Sequence, residues 1–569
     1  MRRPLLFALL AAGTSSATAQ VALPGPAQIP QIQKRFEPPI ARPEQPKPGE
    51  LPTPPGVIAP PPGADAVRLT LREVSFTGMT VYTPDEIRPL YASMVGRDIS
   101  LADLYALADQ VTARYHRDGY LLSIALVPEQ QVESGAVTIQ VVEGHVDQVH
   151  FTGKIDGPKR YPQGFASGIA ASRPLKADAL ERNVLLIGDL PGVNVQSVLK
   201  PSPSQFGAAD LDVVIQQLPI EGFVSIDNKG SRYVGPWALS GGVSLYSRLG
   251  LYEQIDLTAA GDPFDSSMLY LQGAITVPIH AKGALAGDTI QLSGLYSWAK
   301  PDLPEQLFPF HTRSQNVEWH ATYFVPVIRS RERNLSARLS FIWRDLENRI
   351  TDLPDDNLNP SREHVRIIQP RLTLDFVDPF NGVTLIDVAG NIGLNIFGAS
   401  QKGDPRLVRQ YGDGEFFYVT GTLARLQPVT KRVGLFLRFD AQLANGPLPT
   451  TERFGVGGST FGVGFAPGTL TGDDGFGARA ELRYGLETKS SVITGFQIYL
   501  HGDYGWTHDQ KNIGPDSHDL ASVGLGARIN IFKNLAFNPE VAQQISGRPT
   551  DCLDCSDEFR FLFNVTQRF

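Results

Sequence analysis

A chain of 569 residues is too long for one compact domain and has room for two or three. Charged residues make up 19 %, below the roughly 25 % of soluble domains, and the net charge of −8 argues against a general nucleic-acid binder. Two cysteines exclude a disulfide scaffold or a four-cysteine zinc site, and a mean hydropathy of −0.12 excludes a helical membrane protein. A membrane-spanning β-barrel stays open, because its alternating strands average out in hydropathy.

The N-terminus reads as a secretory signal peptide over residues 1–19. Arg2 and Arg3 precede an apolar stretch, Leu5 to Ala12, and Ala17-Thr18-Ala19 is a cleavage site that leaves Gln20 first. Residues 20–65 form a Pro-rich linker: positions 21–65 hold 14 of the 44 prolines and one aromatic, Phe36, too little to bury a core. A helical turn or two fits Gln28–Glu37, as a plug or a docking peptide; a plain tether is the favoured reading of the segment.

Residues 66–145 predict a small α+β module. Val67–Phe76 reads as a strand. Ser100, with Asp103 three residues on, caps a helix whose apolar positions Leu101, Leu104, Leu107, Ala108, Val111 and Tyr115 recur at helical spacing, and Gly119 ends it. Tyr120–Val127 and Ala136–Val142 predict two more strands. Residues 146–218 repeat the order, with strands at Val146–Phe151, Val193–Lys200 and Ala209–Gln217 and a helix at Ala177–Leu190. Phe76-Thr77-Gly78 recurs as Phe151-Thr152-Gly153, which marks two tandem copies.

Residues 219–569 alternate between apolar and polar positions. In Val433–Leu443 the odd positions are apolar and the even ones include Arg438, Asp440 and Gln442. About sixteen such segments predict an antiparallel transmembrane β-barrel with a water-filled lumen. The chain ends on Phe569, an aromatic on the lipid side of the last strand and an expected signal to the machinery that assembles barrels. Arg438, Arg479, Arg483 and Asp503 are expected on the lumen wall, with Arg479 diagonally across from Asp503. Cys552 and Cys555 sit before the last strand as a possible local disulfide.

The stretch Tyr115–Gly144 resembles the signature of the periplasmic POTRA module of two-partner secretion transporters, the hemolysin and filamentous-hemagglutinin secretion family. The matching residues are Tyr115, Gly119, Tyr120, Pro128, Gln130 and Val142-Glu143-Gly144. Ile226–Ser231 is similar to that family's D-N-x-G-S element at the barrel start. The resemblance implies a hallmark surface loop between barrel strands 11 and 12, expected at 445–475. Gly457, Gly458, Gly464, Phe465, Gly472 and Asp473 match it. Val463 stands where the family has an arginine that pairs with a wall aspartate, here Asp503. The loop donor is missing, and Arg479 is expected to pair with Asp503 instead, weakly, in a wet lumen.

The implied function is an outer-membrane transporter that recognises an unfolded exoprotein through POTRA modules in the periplasm and secretes it through its barrel. The expected partners are that exoprotein, outer-membrane lipid and the barrel-assembly machinery, with no nucleic acid. A barrel-assembly factor of the same superfamily is the alternative, and a diffusion porin the weaker one. The glycine-rich loop lacks the Gly-Lys-Ser/Thr of a phosphate cradle, and catalytic and metal motifs such as Gly-x-Ser-x-Gly and His-Glu-x-x-His are missing. The chain is expected to be no enzyme and to carry no cofactor.

Overall fold

The computed structural model describes residues 23–36, 59–132, 134–153, 157–304, 310–352, 361–510, 517–547 and 559–569. The expected signal peptide and the pair Cys552 and Cys555 lie outside the described residues. The first helix, α1 (Ile29–Gln33), belongs to the segment read as a tether. That reading is corrected for residues 23–36: Ile29, Pro30, Gln31, Ile32 and Gln33 are all buried. Pro30 sits in the first turn, where its missing N–H costs nothing.

In the first module, β1 (Arg68–Thr70) pairs with β3 (Asp98–Ser100), while β2 (Glu73–Thr77), β4 (Ile124–Leu126) and β5 (Ala136–Val142) form a sheet in the order β2-β5-β4. The single strand expected over Val67–Phe76 is therefore two. The inward residues Leu69 and Leu71 are followed by Val74, and that three-residue step breaks the period of two. Similarly, Tyr120–Ser123 is a turn, and only Ile124–Leu126 pairs. The short α2 (Pro84–Ile87) and the long α3 (Leu101–Arg117) cover the sheet. Ser100 and Asp103 form a reciprocal capping box at the start of α3.

The second module has β6 (His145–Gly153), α4 (Arg160–Ala170), α5 (Ala177–Gly188), β7 (Val193–Pro201) and β8 (Ala208–Gln217), with the sheet order β6-β8-β7. In both sheets the first strand runs parallel to the central one. The repeated Phe-Thr-Gly now has a physical reason. Gly78 (φ +75°) and Gly153 (φ +99°) each end the first strand against the carbonyl of the central strand, where a Cβ would lie 2.3 and 2.1 Å from Val141 O and Ile215 O. Sequence reasoning missed α4, because Pro162, Gly164 and Gly168 mask the i, i+4, i+8 spacing of Tyr161, Phe165 and Ile169.

The barrel opens with β9 (Ile220–Asp227), β10 (Ala238–Tyr246), β11 (Gln254–Gly261), β12 (Met268–Pro278), β13 (Thr289–Ala299), β14 (Thr312–Arg329), β15 (Arg333–Ile350) and β16 (Ser361–Val377). It continues with β17 (Val383–Gly393), β18 (Phe417–Pro428) and β19 (Val433–Ala444). A long loop follows, carrying the hairpin β20 (Phe454–Val456) and β21 (Leu470–Gly472). Then come β22 (Asp474–Leu486), β23 (Ile493–His508), β24 (Ser517–Ile531), β25 (Leu535–Ser546) and β26 (Phe559–Arg568). All but the hairpin close into one antiparallel barrel of sixteen strands. Leu257, Leu292, Leu339, Leu372, Leu482 and Leu500 stand exposed on its outer wall, while polar side chains fill the lumen.

The second module caps the mouth where the strands are joined by short turns. Arg329 makes a two-pronged pair with Asp189, with both N–O distances 2.7 Å, and Tyr161 donates to Pro278 O at 2.6 Å. Tyr161 also meets the buried Tyr252 edge-on. The long loops lie at the opposite mouth.

Closure rests on the shortest pairing in the wall. β26 and β9 share five register pairs, against eight or more between all other neighbours. Side groups extend that seam at both ends. Asn228 behaves as an extra strand residue, donating to Phe561 O (2.8 Å) and accepting from Phe563 N (2.7 Å). Phe569 and Gly222 exchange two backbone bonds of 3.0 Å, and the Phe569 ring lies over Gly222 on the outer wall. Replacing Phe569 with Ala is expected to lower the amount of inserted barrel several-fold, read as the heat-modifiable band on a gel. An unchanged band would show that the terminal ring does not help to close the wall.

Candidate functional site

The lumen is filled by two pieces of the chain: the N-terminal segment and the loop between β19 and β22. Alternation along the strands decides which wall residues they meet. The N-terminal segment lies along β13 and β14. Ile29 and Ile32 pack with Val234, Met268, Ala299 and Leu346, and Phe36 packs on Tyr270. Gln31 and Gln33 are both buried. The Gln33 amide donates to Glu318 (2.8 Å) and accepts from Ser297 Oγ (3.2 Å) and Asn316 Nδ2 (2.9 Å). Arg35 pairs with Asp227 and donates to Pro236 O at 3.2 Å. Between helix and wall only about 10 Å³ is left, barely room for one water.

Glu318 is shared. Arg344 on the neighbouring strand β15 reaches it at 2.8 Å and also pairs with Glu452 at the base of the long loop. Glu452 accepts in turn from Tyr418 OH at 2.7 Å. Plug, wall and loop are therefore tied by one largely buried arginine between two buried carboxylates.

The loop base is fixed by Asp473, which is fully buried. It accepts from Arg409 Nη2 (3.0 Å) and from the backbone N–H groups of Leu448 and Gln510 (both 2.9 Å). Gly472 passes so close to His508 that a Cβ would lie 2.8 Å from its backbone. Gly457 (φ +104°) and Gly458 (φ +97°) turn the hairpin, and Phe465 packs with Val456, Phe461, Leu470 and Leu520. Gly464 touches the wall at Ser522 and Gln544. Three groups grip the tip backbone. Val463 N donates to Asp503 (3.4 Å), Gln544 Nε2 donates to Gly464 O (2.9 Å), and Arg560 donates to the carbonyls of Val463 and Phe465.

Asp503 takes its partners from the wall. Arg479 Nη1 lies 3.3 Å from its Oδ1, His501 Nδ1 lies 3.0 Å from its Oδ2, and Ser522 Oγ donates at 3.1 Å. Arg479 stands directly opposite Asp503 in register rather than diagonally across. It also pairs with Glu481 (2.8 Å) and Glu540 (3.1 Å). Val463 lies between Ala542 and Leu562, so an apolar contact replaces the ion pair of the family pattern. Arg438 and Arg483 face the lumen but pair with Asp440 (2.8 Å) and Glu481 (2.7 Å), away from Asp503. The expectation of a wet, weak pair is corrected: Arg479, Glu481, His501 and Asp503 are all buried under the loop. Sequence reasoning missed His501, Glu540 and Arg560. All three occupy inward positions of alternating strands, the signal that could have found them.

The POTRA-signature residues lie together in the first module, and their contacts are structural. Tyr115 OH donates to Glu143 (2.8 Å), which also accepts from the N–H groups of Thr80 (2.6 Å) and Val81 (2.9 Å). Burial opposes the Glu143 charge, yet these bonds hold its carboxyl below the usual range. Tyr120 meets Tyr115 edge-on, Gly119 turns out of α3 at φ +91°, and Gly144 leaves no space for a Cβ against Leu122. Gln130 donates to Thr138 O (2.8 Å) and accepts from Thr138 N (2.7 Å), and also donates to Pro128 O (3.3 Å).

Breaking a buried pair strands its partner and costs about 3–5 kcal/mol, whereas an exposed pair is worth about 1 or less. Arg479→Gln leaves Asp503 and Glu540 short of a cation. It is expected to lower the temperature at which the folded gel band disappears and to make channel openings in planar bilayers more frequent. Parent-like melting and conductance would show that Arg479 does not secure the loop.

Two family models match the chain: the POTRA domain, ShlB-type, over residues 69–144, and the haemolysin secretion/activation protein ShlB/FhaC/HecB over residues 207–529, more than half of it. The heme/hemopexin transporter protein HuxB of Haemophilus influenzae (strain 86-028NP) is 23 % identical over 502 residues, covering 85 % of this chain and 84 % of HuxB. The outer membrane transporter CdiB of Escherichia coli O6:K15:H31 is 24 % identical over 475 residues, covering 82 % and 77 %. Among solved structures, CdiB from Escherichia coli superposes with a TM-score of 0.72 at 20 % identity, over 90 % of this chain and 93 % of that one. CdiB from Acinetobacter baumannii gives 0.62 at 15 % identity, over 95 % and 96 %. At such identities the structural likeness speaks for the fold alone.

Proposed function

The chain belongs to the haemolysin secretion/activation family ShlB/FhaC/HecB, and from that premise we propose how it captures and passes its passenger. Members are transporters of two-partner secretion: an outer-membrane β-barrel with a POTRA module in the periplasm carries a secreted exoprotein outward. In our reading residues 66–145 and 146–218 are two POTRA modules. An unfolded exoprotein adds as a strand to their free sheet edges. The outer wall meets outer-membrane lipid, and the barrel-assembly machinery reads the terminal Phe569 during biogenesis.

One observation carries the reading: the lumen is closed by parts of the chain that are not wall. Passage requires α1 to leave and the long loop to shift. Gln33, Glu318, Arg344 and Glu452 form one connected set, so withdrawing α1 removes a hydrogen bond from the same carboxylate that helps to hold the loop base. The wall left behind is lined with paired charges and amides, to which an apolar passenger segment does not stick. Folding of the passenger outside then gives direction without fuel, since a folded domain cannot slip back.

Deleting residues 21–36 is expected to raise single-channel conductance in planar bilayers several-fold while the barrel still inserts. Conductance equal to the parent's would mean that the helix does not close the channel. Deleting residues 66–145 is expected to abolish secretion with the barrel still present in the outer membrane; normal secretion by that variant would remove the first module from passenger recognition.

A further inference from the structure

The outer wall of β13–β16 changes chemistry along its length. Outward positions form rows, one every second residue and about 7 Å apart along a strand. Toward the module end the rows are apolar, with Ile290, Leu292, Leu339 and Leu372 exposed. Next comes Trp319 beside its register partner Trp343. Two rows beyond Trp319, about 14 Å along the strand, Gln315, Glu347 and Arg362 stand in register, followed by Arg313 and Arg349. Lys300 and Arg313 both lie over the Trp298 ring, at 5.5 and 5.2 Å.

The cations in these rows outnumber the anions. Arg366 and Asp345 pair with each other (2.8 Å). Arg349 and Glu347 pair likewise, so among the described residues of the rows Lys300, Arg313 and Arg362 are left in excess. Glu347 holds Arg349 Nε (2.7 Å) and Arg362 Nη2 (3.2 Å). The Nε atoms of Arg313 and Arg362 are buried and have no hydrogen-bonding partner among the described residues. A buried guanidinium N–H without an acceptor is costly, and an anion docked here would supply one.

Aromatic girdles mark the interfaces of membrane barrels, so Trp319 and Trp343 set the edge of the hydrocarbon and the arginines lie in the headgroup layer beyond. With the modules in the periplasm, that layer is the outer leaflet. We propose that the patch around Arg313, Arg349 and Arg362 binds a phosphate-bearing lipid of the outer leaflet. The arginine forks take the phosphate, and the acyl chains lie along the apolar rows of Leu292 and Leu339.

The test titrates the full chain in detergent with a diphosphorylated glycolipid (lipid A), with the same lipid stripped of phosphate, and with inorganic pyrophosphate, each read by native mass spectrometry. The phosphorylated lipid is expected to bind at least about tenfold more tightly than the stripped one. Pyrophosphate is expected not to compete at equal concentration. Arg313→Gln together with Arg362→Gln should erase the preference. Arg349→Gln, at a half-exposed position that folding tolerates, should lower it in part, with heat-modifiable gel mobility reporting an intact barrel. Equal binding of the two lipids by the parent, or an undiminished preference in these variants, overturns the proposal. Competition by pyrophosphate at equal concentration also overturns it, in favour of a plain anion site.

Discussion

The closed lumen depends on Arg344. A guanidinium removed from water loses several kcal/mol of solvation and must recover it from well-placed anions. Arg344 recovers it from Glu318 on the next strand and Glu452 at the loop base, each of which has a further neutral partner, Gln33 or Tyr418. Removing a charged member leaves a buried charge uncompensated, and removing a neutral one leaves a carboxylate short of a hydrogen bond. That condition couples the two pieces that fill the lumen, which also touch directly where Gln31 lies against Gly455 and Gly468 and where Lys34 donates to Arg453 O (3.3 Å).

The charged cluster under the loop tip obeys the same rule with different members. A family pattern that places an arginine on the loop is inverted here: the guanidinium comes from the wall, at Arg479, and the loop contributes Val463 to an apolar seat between Ala542 and Leu562. Exchanging a buried ion pair for apolar packing is often neutral when the remaining charges are satisfied. Asp503 satisfies that condition, having Arg479, His501 and Ser522 around it.

Much of this architecture was legible because a strand reports its environment every second residue. The count of about sixteen alternating segments matches the sixteen strands of the barrel, and the inward positions of Arg438, Arg479, Arg483 and Asp503 follow from the same alternation. What was not legible lies where period fails or distance intervenes. Residues 23–36 look like linker because proline suppresses any helical pattern, yet burying Ile29 and Ile32 against the wall is enough to order them. His501, Glu540 and Arg560 come together from three strands, and alternation places them in the lumen without naming their neighbours. Helix α4 hides behind its glycines and Pro162.

The occupant of the lumen is part of the chain it blocks. Between Phe36 and the described start of the first module at Ala59 lie 22 residues, eight of them proline, a length that reaches at most about 70 Å. A segment expelled into the periplasm would stay leashed to the mouth it left, at an effective concentration on the order of millimolar. Resealing after each passenger would thus be unimolecular, independent of how many copies the membrane holds, and leakage would last only as long as one substrate occupies the route.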